Sequence, residues 1–76
     1  MQITSEKVIS EIAAALEISL DRVGLKSTSS DLEEWDSLGH ISILSRLDLV
    51  FDNVTEKIPE LASAGSVEEI VRLLNS

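Results

Sequence analysis

The sequence predicts an all-α fold: a small bundle of three main helices plus one short helix, with a long loop between the first and second. Three observations carry that prediction. Apolar residues recur at helical spacing in three separate stretches. No alternating pattern long enough for a strand occurs. Hydrophobic residues make up 43% of the 76 residues, enough for a packed core, and there is no cysteine to staple it. At this length the chain reads as a single domain, residues 1–76, with a modest core.

The first helix is read from Val8, Ile9, Ile12, Ala13 and Leu16, which fall on one face. Thr4 or Ser5 can cap its start, and Glu6 complements the dipole in the first turn. The pattern loses register near Ser19, and Gly24 with Ser27-Thr28-Ser29-Ser30 marks a loop. Leu20, Val23, Leu25 and Leu32 are expected to pin that loop to the helices.

A second helix is expected from Asp36-Ser37 to about Asn53. Ile43, Leu44, Leu47, Val50, Phe51 and Val54 cluster within roughly 120° of arc and form its core stripe. The short helix is placed on Lys57-Ile58-Pro59-Glu60-Leu61, with Pro59 suited to a first helical position because its missing N–H has no partner there. The last helix opens on a capping box, Ser66-Val67-Glu68-Glu69. Val67, Ile70, Val71 and Leu74 then repeat along one face.

Composition excludes several functions. Six Lys and Arg stand against fourteen Asp and Glu, a net charge of −8 that repels phosphate backbones and anionic membranes, so nucleic acid is excluded as a partner. The longest apolar run, Ile12–Leu16, is far short of the ~18 residues of a membrane span. The first residues lack a basic region followed by an apolar one, so no secretory signal is expected and the cytoplasm is the default compartment. One histidine without cysteine makes no zinc site, and Asp52 with Glu56 does not make a calcium loop, so no metal is expected.

Asp36, Ser37 and His40 invite a nucleophile–base–orienter reading. Geometry opposes it: serine and histidine lie three apart on one helix, Asp36 is a capping position, and Trp35 stands where a nucleophile elbow needs glycine. No catalytic residue is assigned, and the chain is not read as an enzyme. Ser37 is instead a hydroxyl at a helix N-terminus, where free N–H groups and the positive dipole end suit a phosphate ester. The other reading of the pair is an ordinary helix start, Asp cap followed by Ser.

The segment Asp31-Leu32-Glu33-Glu34-Trp35-Asp36-Ser37-Leu38-Gly39-His40-Ile41 resembles the modification site of acyl carrier proteins. The resemblance extends along the chain: its length and acidity, the long first loop, Phe51-Asp52 closing the second helix, Ile58-Pro59 and Gly65–Ile70 all fit. It implies a four-helix carrier in which Ser37 bears 4′-phosphopantetheine. A phosphopantetheinyl transferase would install the arm from coenzyme A with magnesium. The arm's thiol would hold acyl groups as thioesters for loading and transferring enzymes of lipid or polyketide type, in a chain that acts as a monomer. The resemblance also implies recognition through Asp36, Leu38 and the second helix, where Ile41, Asp48 and Leu49 are the further candidates.

Three features depart from the carriers of bulk fatty acid synthesis. Glu34-Trp35 replaces a small residue or glycine before Asp36. The second helix offers Gly39, Ser42, Ser45, Arg46, Leu49 and Val50, with only Asp48 and Asp52 acidic after Ser37. Docking is therefore expected to lean on Leu38, Ile41 and Leu49 more than on charge, in a specialised pathway. His40 is the third departure: it is read as a packing residue, the alternatives being contact with the arm's phosphate or a place at the mouth of an acyl cleft. Trp35 is read as a loop anchor, the alternative being a partner-binding hot spot. An aminoacyl, peptidyl or D-alanyl carrier, or a non-enzymatic helical interaction module, are the competing functions.

Overall fold

Each periodic stretch folds as a helix, and capping chemistry sets where each begins. The computed structural model describes residues 2–76; Met1, first in the segment read for a leader, lies outside the described residues. Helix α1 spans Ser5–Leu16, α2 Ser37–Phe51, α3 Val54–Lys57 and α4 Val67–Leu74. Turns of 3₁₀ helix lie at Leu20–Arg22 and Pro59–Ser63. The fold is all-α, three main helices and a short one, with residues 17–36 as the long first connection.

Thr4 starts α1, its hydroxyl accepting the Lys7 N–H at 3.2 Å. Val8, Ile12, Ala13 and Leu16 are buried; Ile9 is only half-buried, and Glu11 lies in the core face instead. α2 packs along α1, and α4 packs against α1 and the Pro59–Ser63 turn. The shared core includes Val8, Ile12, Ile43, Leu47, Leu61 and Ile70, all fully buried.

Four expectations need correcting. Asp52 and Asn53 both adopt left-handed backbone, φ 61° and 60°, which ends α2 at Phe51. Val54 therefore opens α3 rather than extending the α2 stripe, although it remains buried. Within that stripe Ile43 and Leu47 are buried, while Leu44, Val50 and Phe51 are half-buried. The short α-helix precedes the position expected for it. Pro59 disfavours helical backbone at Ile58 (φ −129°, ψ 77°), so α3 ends at Lys57 and Pro59 opens a separate 3₁₀ turn. In the first loop Val23 and Leu32 are buried, but Leu20 and Leu25 are exposed. The small core is already filled there by Val23, Leu32 and Trp35.

The loop is also tied to the start of α4, which its Ser/Thr-rich sequence did not signal. Ser29 N–H donates to the Gly65 carbonyl at 2.9 Å, and Val67 N–H donates to the Ser27 carbonyl at 3.0 Å. Thr28 and Ser66 thus form a single antiparallel bridge. Ser66 still caps α4 by accepting from Glu69 N–H, while the Glu69 carboxylate accepts from Gly65 N–H. No helix among the described residues is long and apolar enough to cross a membrane.

Candidate functional site

Ser37 is the first residue of α2 and its side chain is exposed. Its position is set by the residue before it. Asp36 Oδ1 accepts the Gly39 N–H at 2.8 Å, and the Asp36 carbonyl accepts the His40 N–H at 2.8 Å. The cap uses the third and fourth N–H groups of the helix. Those of Ser37 and Leu38 point out of the helix end and have no acceptor among the described residues.

The loop before Ser37 is held from two sides. Arg22 grips Glu34 with a bidentate pair, 2.7 and 2.9 Å, tying the first 3₁₀ turn to this approach. The hydrogen bonds from Arg22 hold the Glu34 carboxyl below its ordinary range, and the same bonds raise the Arg22 guanidinium. One residue on, Trp35 is buried. Its indole Nε1–H donates to His40 Nδ1 at 2.9 Å. The other ring nitrogen, Nε2, lies 3.0 Å from the Leu61 carbonyl oxygen. Indole nitrogen can only donate and a carbonyl can only accept, so this arrangement selects the neutral imidazole protonated at Nε2.

These contacts disconnect the triad suggested by residue type. His40 has both nitrogens engaged elsewhere, Asp36 caps the helix, and the Ser37 hydroxyl makes no hydrogen bond to either. An open depression of about 330 Å³ lies beside Ser37. Trp35, Asp36, Ser37 and His40 line one side and the Ala62–Gly65 segment the other; no lysine or arginine borders it. Among the described residues no cluster of metal-ligating side chains occurs.

The remaining candidates lie along α2. Leu38, Ile41 and Leu49 are 74%, 59% and 81% exposed, an unusual density of exposed large apolar side chains on one helix. Asp48 differs from them. It is half-buried, and its two carboxylate oxygens accept from Thr55 N–H at 2.8 Å and Thr55 Oγ1–H at 2.7 Å, fastening α3 to α2. Sequence reasoning missed two residues that shape the site. Leu61 supplies the carbonyl opposite His40, and Gly39 lets the Glu34 backbone close on α2: a Cβ there would overlap the Glu34 carbonyl oxygen. Glycine in the first turn of a helix was the only available signal for the second.

Comparison of the chain with family models, curated proteins and solved structures finds no match.

Proposed function

We propose that the chain is an acyl carrier protein whose Ser37 bears 4′-phosphopantetheine and whose cargo is held as a thioester on the arm. The observation that carries this reading is the presentation of Ser37. An exposed hydroxyl stands at the first position of a 15-residue helix, capped by the preceding aspartate and opening onto a shallow depression. A phosphodiester formed on its Oγ would meet the free N–H groups and positive end of α2.

The installing reaction joins Ser37 Oγ to the phosphopantetheine phosphorus of coenzyme A. The bond from that phosphorus to the adenosine-side phosphate breaks, and 3′,5′-adenosine bisphosphate leaves. The hydroxyl proton passes to a base of the transferase. With the thiol supplied by the arm, a chain without cysteine can hold a thioester. Loading and transferring enzymes then dock on Leu38, Ile41 and Leu49. An aminoacyl or peptidyl cargo would use the same serine and the same arm.

Intact-protein mass spectrometry tests the reading, after incubation with coenzyme A, magnesium and a broad-specificity phosphopantetheinyl transferase. The expected result is a gain of one phosphopantetheinyl group, absent in Ser37→Ala. No gain, with a control carrier modified in the same tube, would overturn it. The exposed Leu38, Ile41 and Leu49 favour a second reading, a non-enzymatic interaction module, which would then take first place.

A further inference from the structure

We infer that His40 is a positioning residue for modification of Ser37: its ring bridges α2 to the Pro59–Ser63 turn and sets the width of the depression beside the serine. This rests on the carrier reading above and assigns the chemistry to a residue that the reading does not use.

His40 lies one turn after Ser37, in the same stretch of α2 that borders the depression. The indole and imidazole planes are 13° apart with centroids separated by 6.1 Å. With 2.9 Å between their nitrogens, the rings meet edge to edge through the hydrogen bond, not face to face. On its far side the imidazole reaches the carbonyl of Leu61, whose own side chain is fully buried and anchors the turn. Ala62–Gly65, which follow directly, form the facing wall. Among the described residues this is the single hydrogen bond from an α2 side chain to the Pro59–Ser63 turn.

Packing alone would ask only for volume at position 40. The ring instead offers one acceptor and one donor, in the order that Trp35 and Leu61 require. Such a bridge fixes a distance as well as filling space, and an apolar residue of similar size would leave the indole N–H and the carbonyl unpaired. Glutamine also carries one acceptor and one donor at the end of its side chain and can restore both bonds.

The test measures kcat/KM for transfer of phosphopantetheine from coenzyme A to Ser37, well below the melting temperature of every variant. His40→Leu is expected to lower kcat/KM about tenfold, less than the roughly hundredfold that a ~1 Å misplacement at a reacting group can cost. His40→Gln is expected to recover the wild-type value to within about threefold. Ile70→Val, which weakens the core at a fully buried α4 residue outside the depression without changing charge, should react at the wild-type rate. Should His40→Leu be too unstable to assay, Trp35→Phe removes the indole donor, keeps a smaller aromatic ring in the buried site and should also slow transfer. Transfer to folded His40→Leu at the wild-type rate would overturn the inference. So would equal slowing of Ile70→Val, which would mean that the rate follows stability. A wild-type chain that takes no phosphopantetheine while the control carrier does removes the carrier reading, and this inference with it.

Discussion

Gly39 and Ser37 are two residues apart and constrained for opposite reasons. A glycine inside a helix ordinarily costs about 1 kcal/mol relative to alanine, so replacing it should stabilise. At Gly39 the sign reverses. A Cβ would overlap the Glu34 carbonyl oxygen and press on Leu16 Cδ2 at 3.0 Å, and the backbone oxygen is already placed by the Arg22–Glu34 pair and the α2 cap. Gly39→Ala is therefore expected to destabilise by about 2 kcal/mol, the usual scale of overpacking. For a chain of this size that lowers Tm by roughly 10 °C, measurable by calorimetry. An unchanged or higher Tm would show that the loop yields freely. Ser37→Ala should leave Tm nearly unchanged, because Asp36 and not Ser37 caps the helix. The sequence made Asp36 and Ser37 legible, since cap and first turn are neighbours in the chain. For Gly39 the sequence predicts only a place on the partner-facing surface of the second helix. Its constraint comes from a loop folding back, which helical periodicity does not encode.

The helices themselves were legible because a buried stripe repeats at 3.6 residues; what joins them was less so. Glu11 is the clearest case. Its charge sets it outside the apolar face that periodicity predicts for α1, yet its side chain is only 7% exposed. Its carboxylate takes Lys7 Nζ at 2.8 Å from one turn back and Arg46 Nε at 2.7 Å from α2. Hydrogen bonds from Lys7 and Arg46 hold its pKa below the ordinary value, against the opposing effect of burial. A carboxyl whose folded pKa is depressed contributes stability above its unfolded pKa and loses it as pH falls through the folded value. At neutral pH Glu11→Gln should cost about 2 kcal/mol, the range for hydrogen bonds to charged groups. The gap between the two proteins should narrow as the pH drops from neutral through about 4, the carboxylate range, and on below it. Thermal melts across that interval measure it, and a gap of constant size would assign the loss to packing instead. The α2–α3 junction was equally hidden. Asp48 is expected as a partner-recognition residue of the second helix, and its hydrogen bonds to Thr55 exist only because Asp52 and Asn53 turn the chain back.

Across the molecule, every Lys and Arg side chain has a carboxylate within 4 Å: Lys7 and Arg46 share Glu11, Arg22 has Glu34, Lys26 has Glu68, Lys57 has Asp52 and Arg72 has Glu69. Most of these pairs are exposed, and pairs of that kind each contribute little to stability. Their collective effect is on the field. With all six cations beside acids, the net charge of −8 faces solvent with no basic patch to oppose it, and a phosphodiester on Ser37 would deepen it. An enzyme that docks here must bring the positive charge, and long-range attraction should speed its approach. Under the proposed function, contact itself would fall on the exposed Leu38, Ile41 and Leu49, where salt has little to screen. The two contributions separate by experiment with the phosphopantetheinyl transferase as partner. Raising ionic strength from about 0.05 to about 0.5 M shortens the screening length to a few ångströms and should lower kcat/KM severalfold for the wild-type chain. Leu38→Ser changes no charge and removes an exposed apolar side chain beside Ser37, the proposed attachment point. It should lower kcat/KM about tenfold at both salt concentrations, with the same fractional salt dependence as wild type. A Leu38→Ser protein that reacts at the wild-type rate would rule out apolar docking at this position and leave charge as the main attraction. A wild-type rate that does not respond to salt would show that the acidic field is not used in this encounter.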